Sequence, residues 1–563
     1  LQRTGDVDAS VPGRQGSSEQ QQRVVASQER MCMIFSAPIP EIDVPTINLA
    51  DFVLADVDSR RSKPAVIDAV SGLTLTYGEL DEMSARAAGG LLKDGIRPGD
   101  VVALISNNQP MYAVAVYAIL RAGAVVSPIN PVLNGSEIGK QLATAGAKAV
   151  VAATGGGWLA EAVVGTQVEA CYSFDDSADT RSFRALLSSA PAISYQPAST
   201  NDLAALPFSS GTSGTSKGVM LSHGNLVANL IQLHDCWALD AEAVVCAAMP
   251  LFHIYGFTVI LNSAILAGAT VITMPRFDLR GYLEVVQNYR VTLGHLAPPL
   301  VLALATAPEV DQYDLTSMTR AISGAAPLDE ELAARVEERT GIRIRQGYGM
   351  TEASPGTHGA PSDEFVAIPA GSVGHLLSGT TARIVDPATG EDVGVGSAGE
   401  LWVRGPQIMQ GYLGLPEETD ATIVEGWLRT GDVVEHRDGC FYVVDRLKEL
   451  IKYKGYQVAP AELEALLLQH PQIADAAVVG LADRVAGELP TAYVVHSAAD
   501  PGPSDADAII AWVAERVAPY KKIRRVAFID RIPKSPAGKI LRRVLRDLPI
   551  EEPAMIARDE LRL

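Results

Sequence analysis

The sequence predicts an α/β protein with a large N-terminal domain of helix-covered sheets and a small, mobile C-terminal α+β domain. Three observations lead to this fold class. At 563 residues and 59.5 kDa, the chain is too long for one ordinary hydrophobic core. From Pro64 onward, short apolar strands alternate with helical patterns, which is the βαβ order of parallel sheets. After Tyr412 the composition changes, and a run of strands and helices of ordinary domain size follows.

Apolar spacing predicts the elements in order. Those of the large domain are strands at 66–67 and 73–76, a helix at 77–93, a turn at 95–100, a strand at 101–105, a buried helix ending at 121, strands at 124–127 and 271–274, a helix at 282–289, a strand at 321–322 and a hairpin strand at 439–445. Those of the small domain are a helix at 459–469 with Pro460 in its first turn, strands at 476–479, 492–495 and 526–529, and a helix at 506–517. The division is a polar, disordered tail over 1–33, a large domain over 34–445 and a small domain over 446–563.

Charge and cysteine content exclude several classes of function. The net charge of −20 argues against general affinity for nucleic acid or anionic membranes. No apolar run is long enough to span a bilayer, and no basic-then-apolar leader is present, so neither membrane insertion nor secretion is expected. Five scattered cysteines without a CxxC pair predict neither a disulfide framework nor a zinc site, and they favour a cytoplasmic location.

One basic segment reverses this charge. Between 516 and 546 there are 11 Lys or Arg residues and a single acid, Asp530. A basic patch on an acidic protein predicts a local polyanion site, for which a nucleotide or a coenzyme phosphate is suitable. For the outer arginines Arg542, Arg543 and Arg546, a solvated helix face is the favoured interpretation.

The most specific motif is the glycine- and hydroxyl-rich stretch 209–218, which ends in Lys217-Gly218. Glycines let backbone N–H groups point at an anion, hydroxyls donate to its oxygens, and the lysine supplies a charge. The stretch therefore predicts a polyphosphate cradle, although its order departs from the common P-loop, in which Ser or Thr follows the lysine. Apolar flanks predict a turn between two strands, with the next helix starting at Ser222-His223. A flexible Gly/Ser linker is the alternative.

Three further segments narrow the class of protein to which this predicted phosphate-binding stretch belongs. Residues 347–352 offer an aromatic plane, a hydroxyl and a carboxylate, residues 430–432 a carboxylate on a tight turn, and residues 534–539 a lysine on a mobile loop. In this order, they resemble the adenylate-forming superfamily of acyl-CoA synthetases, luciferases and nonribosomal adenylation domains. The stretches 252–255, 399–405, 405–409 and 448–464 are similar to its 4-coumarate–CoA ligase branch. The resemblance covers about residues 34–548.

The resemblance implies an ATP-dependent acid–CoA ligase, which joins a carboxylate to the α-phosphate of ATP, releases pyrophosphate and then transfers the acyl group to coenzyme A. The implied catalytic residues are Lys539, at the α-phosphate and the substrate carboxylate, His253, Thr351 and Glu352, the last as ligand of Mg²⁺. The implied nucleotide-binding residues are Ser209, Ser210, Gly211, Thr212, Ser213, Gly214, Thr215, Lys217, Gly324, Ala325, Ala326, Gln346, Gly347, Tyr348, Gly349, Thr351, Asp432, Arg446, Lys452 and Gln457. In this set, Tyr348 stacks on adenine and Asp432 binds the ribose hydroxyls.

Some of these residues also fit a structural interpretation. Tyr348 could be a core aromatic, Asp432 a helix cap and Gln457 an ordinary surface residue. His253 could be a packed core histidine. Its implied role is to lie between the acyl pocket and the nucleotide, where it orients the carboxylate and gates the channel for the pantetheine arm.

The resemblance also implies a hinge at Lys448. One site cannot hold Lys539 for adenylation and open a coenzyme A channel at the same time. The small domain is therefore expected to rotate about Lys448 after pyrophosphate leaves, so that Lys454 and Gly455 face the site instead.

The predicted acyl pocket comprises Tyr255, Thr258, Leu296, Ile322, Gly324, Gly347, Pro355 and Gly356. Where plant hydroxycinnamate enzymes place an amide or a lysine near the ring hydroxyl, this chain has Thr258 and Ile322. A buried phenol without a partner costs about 1–3 kcal/mol, so a strictly 4-hydroxylated acid is disfavoured. The glycines leave room for a flat ring or an alkyl chain. Cinnamate-like aryl acids are expected first, and medium- or long-chain fatty acids second.

Two other functions remain open. The acyl group could pass to a carrier protein instead of coenzyme A, since the basic segment suits either phosphopantetheine acceptor. A nucleotide-binding regulator without catalysis is the third possibility, against which the presence of Lys217, Glu352, Asp432 and Lys539 argues. A small-molecule acid, ATP and coenzyme A are the expected partners, and the oligomeric state is left open.

Overall fold

The computed structural model of the protein describes residues 33–153, 157–175, 177, 179–210, 216–237, 239–324, 328–454, 456–497, 506–535 and 538–548. Apart from Met33, the tail predicted to be disordered lies outside these ranges. Within them, strands form five sheets, of which four are built from residues before 447 and one from residues after 450. The predicted α/β class is confirmed.

Two large sheets are covered by helices and are mainly parallel. The first contains, in spatial order, Phe208–Ser210, Ser216–Ser222, Leu203–Ala205, Val125–Ile129, Val101–Ile105, Ala147–Ala152, Ala170–Ser173 and Arg181–Ser182, with Gly411–Tyr412 paired to Ser216–Ser222. The second contains Arg343–Gln346, Arg320–Ser323, Leu293–Leu296, Val244–Ala247, Thr270–Thr273, Pro64–Asp68 and Thr74–Thr76.

The other sheets are mainly antiparallel. The third contains Phe35–Ser36, Thr381–Val385, Gly399–Arg404, Trp427–Arg437 and Ile423–Val424, with Cys440–Arg446 paired to Trp427–Arg437. The fourth contains Tyr348–Gly349, Gly356–Gly359 and His375–Leu376. The fifth contains Tyr456–Val458, Ile451–Tyr453, Gly487–His496 and Ile473–Asp483, with Arg525–Phe528 paired to Gly487–His496.

The α-helices of the described residues are Leu49–Val53, Tyr77–Lys93, Pro110–Arg121, Gly135–Ala145, Trp158–Ala162, Phe183–Leu186, His223–Trp237, Ser263–Ala267, Leu279–Tyr289, Pro298–Thr306, Glu330–Thr340, Pro416–Thr422, Pro460–Leu467, Ala506–Ala514 and Arg542–Arg546. A π-helix spans Tyr255–Asn262. Among these residues, no helix is both long and apolar enough to cross a bilayer.

Local sequence signals explain where the helices begin. Thr76 and Glu79 form a capping box at the start of Tyr77–Lys93, in which each side chain accepts a hydrogen bond from the other residue's backbone N–H. Pro110 opens Pro110–Arg121, where a missing N–H leaves no helical bond unmade. Every residue of that helix is buried, as its apolar run predicts.

The predicted and observed elements differ mainly at their ends. Tyr77–Lys93 and Val101–Ile105 have the predicted bounds. The strands predicted at 476–479 and 492–495 extend to Ile473–Asp483 and Gly487–His496, because the two pair with each other along their whole length. The helix predicted at 506–517 ends earlier, as Ala506–Ala514.

Two features of the fold position the candidate site. In the second sheet, Leu293–Leu296, Arg320–Ser323 and Arg343–Gln346 end at one edge, and Gly324 and Gly347 follow the last two strands. Ligands of α/β proteins bind at such carboxyl ends.

The second feature is the predicted turn between strands, which is confirmed. Phe208–Ser210 and Ser216–Ser222 pair antiparallel, with Ser209 opposite Lys217. The helix His223–Trp237 follows directly, as predicted. The loop between the two strands, residues 211–215, lies outside the described residues.

The solvated-face interpretation of Arg542 is wrong. Its guanidinium donates to Glu449 at 2.8 Å, to both carboxylate oxygens of Glu464 and to the carbonyl of Val478 at 3.0 Å. Its side chain is only 10% exposed. The sequence near Arg542 contains no sign of this burial, because its two carboxylate partners lie 78 and 93 residues away along the chain.

The neighbouring arginines behave differently. Arg543 and Arg546 are exposed, as predicted. Arg542, in contrast, connects the last helix of the described chain to the helix Pro460–Leu467 through Glu464 and to the segment after Arg446 through Glu449.

We expect the substitution Arg542→Met to lower the free energy of unfolding by about 3–5 kcal/mol, because it leaves two buried carboxylates without their cation. Urea unfolding of the intact chain measures this loss. The exposed neighbour provides a matched control, since Arg543→Met should change stability by no more than about 0.5 kcal/mol. Equal losses in the two variants would contradict the buried network.

Candidate active site

A buried carboxylate lies at the centre of the predicted nucleotide site. Asp432 accepts a 2.5 Å hydrogen bond from the hydroxyl of Tyr348, and its other oxygen lies 3.2 Å from Nε of Arg446. Burial raises the pKa of Asp432, which the charge of Arg446 and the Tyr348 hydrogen bond oppose. The structure therefore brings together three residues that lie up to 98 positions apart and that the sequence assigned to adenine and ribose.

The local fold explains why Tyr348 is held so firmly. It follows Arg343–Gln346 and pairs with His358 across the fourth sheet, where the two rings are 5.6 Å apart. A Cβ at the next residue, Gly349, would lie 2.1 Å from the carbonyl oxygen of Pro355. Only glycine permits this approach, which closes the Tyr348–Gly349 strand over the loop that carries Glu352.

Gln346, predicted among the nucleotide-binding residues, directs its side chain into the protein. Its amide donates to the carbonyls of Leu328 and Ala370, and its oxygen accepts from the Leu328 N–H at 2.9 Å. A buried amide must satisfy these groups within the protein. Gln346 therefore anchors the loop after Gly324. The predicted wall residues Ala325 and Ala326 lie outside the described residues.

The predicted magnesium residue Glu352 is buried and hydrogen-bonded. Its carboxylate accepts from the hydroxyl of Tyr412 at 2.9 Å, and its carbonyl accepts from the Met409 N–H at 2.9 Å. Nζ of Lys217 lies 4.6 Å from the centre of the Tyr412 ring. Thr351, which begins the same 3-10 turn, is half-buried.

Tyr412 is a residue whose role the sequence reasoning missed, since it served there only to mark a change in composition. A signal was present, because Tyr412 lies three residues after the family-like stretch 405–409. Of the predicted cradle, Ser209 and Lys217 are described and lie opposite each other. Gly211, Thr212, Ser213, Gly214 and Thr215 and the side chain of Ser210 lie outside the described part.

The predicted catalytic lysine lies at the edge of this site. A Cβ on the preceding Gly538 would be 3.2 Å from Ala297 and from Pro299, so its loop touches the large domain. Burial and the charge of Arg446 lower the pKa of Lys539, whereas Glu449 and Asp432 oppose that shift. Lys539 therefore shares one electrostatic environment with the Asp432 carboxylate.

The acyl pocket contains one residue that the sequence reasoning missed and one that it misplaced. Nδ1 of His295 and the hydroxyl of Tyr255 share a 3.1 Å hydrogen bond, and both residues are buried. Leu296, predicted to line the pocket, instead packs in the core cluster on the other face of the sheet. Successive residues of a strand point to opposite faces, so it is His295, and not Leu296, that lies beside Tyr255. A histidine in an otherwise apolar strand was the available signal.

The other predicted pocket residues divide into two groups. A Cβ on Gly324 would be 3.0 Å from the Tyr255 ring, and a Cβ on Gly347 would be 3.6 Å from Ile322. These four residues are thus brought together, with the Trp237 ring 6.2 Å from His295. A Cβ on Gly356 would contact Leu233 and Leu377 instead of this group.

Two buried polar atoms of this region lack a partner within the described part of the chain. Among the described residues, Oγ1 of Thr258 and Nε1 of Trp237 are buried and find no hydrogen-bond partner. Such atoms cost free energy unless a ligand or water satisfies them. Pro355, also predicted here, follows Ser354 through a cis peptide bond.

His253 precedes the π-helix Tyr255–Asn262. It is half-buried, and its Nδ1 accepts a 3.3 Å hydrogen bond from the Tyr255 N–H. Burial lowers the pKa of His253 to about 4, so the ring is neutral at pH 7. A neutral ring with Nδ1 as acceptor carries its proton on Nε2, where it can donate to a substrate oxygen. π-helical segments occur frequently at functional sites.

The hinge region joins both parts of the chain. Asp445 precedes the predicted hinge Lys448, and its carboxylate accepts from the Ala461 N–H at 3.0 Å, in the first turn of Pro460–Leu467. Lys448 is exposed. A small apolar cluster of Val433, Leu450 and Ala459 lies beside this contact.

The predicted small-domain contacts lie on one hairpin. Lys452 and Gln457 are directly opposite each other, and both are exposed. Lys454 has a positive φ of 48° at the turn. Gly455 lies outside the described residues.

Comparison with known proteins places both parts of the chain in one family. The family model described as AMP-binding enzyme matches residues 54–413, and that described as AMP-binding enzyme C-terminal domain matches residues 462–539. The 4-coumarate–CoA ligase 5 of Oryza sativa subsp. japonica is 41% identical over 531 residues, which cover 91% of this chain and 97% of that protein.

Two solved structures extend the comparison. The anthranilate CoA ligase AuaEII in complex with anthranoyl-AMP has a TM-score of 0.82 at 26% identity, covering 90% of this chain and 98% of that one. The benzoate CoA ligase from Burkholderia xenovorans LB400 has a TM-score of 0.80 at 27% identity, covering 89% and 100%. Fold, site and relatives together define an adenylate-forming acid–CoA ligase. The chain belongs to the AMP-binding enzyme family, whose chemistry ATP and coenzyme A fit as substrates.

We expect stability to depend on the protonation of Asp445. Burial raises its pKa from 3.8 to about 6, against the Ala461 hydrogen bond. The folded state then binds this proton more tightly than the unfolded state, so the contribution of this group to stability is fully present below about pH 4 and is lost as the pH rises through 6. The contribution is about 3 kcal/mol at most.

Unfolding of the wild type and of Asp445→Asn between pH 4 and pH 7 measures this contribution. The difference between their free energies of unfolding should change across pH 4–6 and stay constant above. The exposed Asp420→Asn is the matched control and should show no such change. A pH-independent difference for Asp445→Asn would show that the carboxylate titrates normally.

Proposed function

We propose that this acid–CoA ligase acts on flat aryl acids of the cinnamate type, with Mg-ATP and coenzyme A. The observation that carries the proposal is the pocket in which Tyr255, His295 and Trp237 present rings beside Gly324 and Gly347. Rings prefer offset or edge contacts with other rings, so this group of side chains suits an aryl acid. The names of the three relatives refer to a coumarate, an anthranilate and a benzoate, which are all aryl acids.

In the proposed first step, the substrate carboxylate attacks the α-phosphorus of ATP, and pyrophosphate leaves. Asp432 accepts the ribose hydroxyls, a role that its fixed orientation between Tyr348 and Arg446 supports. Lys539 meets the negative charge that develops at the α-phosphate. Its lowered pKa is consistent with an ammonium that is underpaired until a phosphate arrives.

Mg²⁺ fits the residues that are present. Among the described residues, no group of three His, Cys, Asp or Glu side chains could hold a metal ion. Mg²⁺ is commonly bound by one or two carboxylates and substrate phosphates, and the buried oxygen donors of Glu352 suit it. When bound, it neutralises charge on the phosphate oxygens. Lys217 supplies the remaining charge to the leaving pyrophosphate.

In the proposed second step, the small domain over 446–563 rotates about Lys448, and the thiol of coenzyme A attacks the acyl carbonyl with AMP as leaving group. The contacts across the proposed hinge include the Asp445 cap on Pro460–Leu467, the apolar cluster of Val433 with Leu450 and Ala459, and the Gly538 contact with the large domain. These contacts are small, which supports a rotation at modest cost.

An acyl carrier protein is the second candidate acceptor. The exposed basic residues of 516–546 support it as much as coenzyme A. We further propose a reducing, cytoplasmic setting, which the free cysteines Cys171, Cys236, Cys246 and Cys440 support.

The first test is coenzyme A-dependent AMP release with Mg-ATP across cinnamates, benzoates and fatty acids. We expect turnover with cinnamate-like acids, since the rings of Tyr255, His295 and Trp237 lie together at the proposed pocket. Hexanoate or octanoate outcompeting cinnamate more than tenfold would overturn the aryl assignment. Pyrophosphate release that coenzyme A never converts to thioester would identify a carrier acceptor. Lys539→Ala is the control, with ATP binding retained and the rate lowered by about 100- to 1000-fold.

The hinge can be tested by separating the half-reactions. We expect Lys448→Pro to leave pyrophosphate exchange largely intact and to stall thioester formation, because proline fixes φ at the pivot. Lys448→Ala removes the same side chain but keeps the backbone freedom, and should perform both half-reactions. Equal loss of both half-reactions in Lys448→Pro would remove the hinge assignment.

A further inference from the structure

One tyrosine touches both charged side chains that the proposed first step uses for the metal and the leaving group. The Tyr412 hydroxyl donates to Oε1 of Glu352 at 2.9 Å, while Nζ of Lys217 lies 4.6 Å from the centre of its ring. Tyr412 is 7% exposed, as is Glu352. The contacts therefore form in a site from which most water is excluded, where hydrogen bonds to charged groups are strong.

The position of Tyr412 is set by the fold. It pairs with Val219 in an antiparallel ladder, and Lys217 lies two residues before Val219 on the same face of its strand. The Tyr412 N–H also donates to Oγ1 of Thr419 at 2.9 Å. The ring is thus held beside Lys217 by backbone pairing and does not depend on the Glu352 contact for its place.

The direction of the hydroxyl proton is also constrained. The Tyr412 hydroxyl has Oε1 of Glu352 as its acceptor, so the phenol proton is directed to Glu352. Burial raises the pKa of Tyr412 well above its ordinary value, with the charge of Glu352 acting in the same sense. Tyr412 is therefore a neutral donor at all working pH values.

A neutral tyrosine between a lysine and a glutamate has a specific consequence. In a partly buried site the two charges would attract each other directly, and a closed ion pair would compete with both a cation and a phosphate. Tyr412 binds the Lys217 ammonium less strongly than a phosphate would, and the Glu352 carboxylate less strongly than a divalent cation would. The ammonium lies on a ring face, and the carboxylate accepts one hydrogen bond from an uncharged donor instead of pairing with a full positive charge.

We propose that Tyr412 is a positioning residue that holds Lys217 and Glu352 apart and oriented, so that Lys217 is available to phosphate and Glu352 to a divalent cation. The inference rests on the roles proposed above for these two residues. The strand Gly411–Tyr412 would then contribute to the first half-reaction by positioning these two side chains.

The two contacts can be separated by substitution. Tyr412→Phe keeps the ring beneath Lys217 and removes the hydrogen bond to Glu352. Tyr412→Leu removes both. We expect Tyr412→Phe to weaken binding of Mg-ATP about tenfold while binding of ATP in excess EDTA changes less than twofold. Tyr412→Leu should weaken both forms, because Lys217 then closes on Glu352.

Calorimetric titration of the intact protein with ATP, in the presence of Mg²⁺ or of EDTA, measures these four constants without turnover. Pyrophosphate exchange as a function of Mg²⁺ provides the kinetic counterpart, and Tyr412→Phe should need more Mg²⁺ for half-maximal rate. Tyr195→Phe is the matched control. It removes a phenol–carboxylate hydrogen bond to Asp202, at 3.2 Å, outside the described site, and should change neither constant.

Each outcome has one interpretation. Binding of Mg-ATP by Tyr412→Phe as tight as by the wild type overturns the proposal. Equal weakening with and without Mg²⁺, together with a lowered Tm, also overturns it, since that is the mark of a structural residue. Failure of the proposed function is distinguishable, because the wild type itself would then show no effect of Mg²⁺ on ATP binding.

Discussion

The constraint on which the site depends is an ionised carboxylate kept in a buried place. Burial raises the pKa of Asp432, and the proposed contact with both ribose hydroxyls needs the carboxylate form, which accepts hydrogen bonds at both oxygens. Arg446 and Tyr348 offset that cost, each from a different element. The position of Tyr348 in turn requires the close approach at Gly349, and Arg446 begins the segment that leads to the hinge. The residues proposed to bind ribose and adenine and the domain junction are therefore parts of one electrostatic arrangement.

In the small domain and beside the predicted phosphate cradle, buried charges likewise depend on neighbouring side chains. Arg542 stabilises two buried carboxylates, and one of them, Glu449, acts on the charge state of Lys539. Tyr412 separates a lysine from a glutamate that would otherwise neutralise each other. In both cases a residue outside the reacting groups controls how strongly charged groups hold one another. Charges that are too well paired within the protein are not available to a substrate.

Much of the fold followed from periodicity because helices and parallel strands bury regular apolar faces. Tyr77–Lys93 and Val101–Ile105 were predicted to the residue, since a capping box and a turn mark their ends. The order of motifs also predicted the reaction class. Within the candidate site, Asp432 and Arg446, both predicted to contact the nucleotide, lie together, whereas Leu296 packs on the face of its strand opposite His295.

The sequence by itself determined the elements, the family and the chemistry, because these depend on local spacing and on residue types in a fixed order. Only the tertiary structure decided which side chains meet. It replaced Leu296 with His295, turned Gln346 into a loop anchor, buried Arg542 and gave Tyr412 its two charged partners. The physical reason is that hydrogen bonds and ion pairs act over a few ångströms in space, between residues whose distance along the chain carries no information about contact.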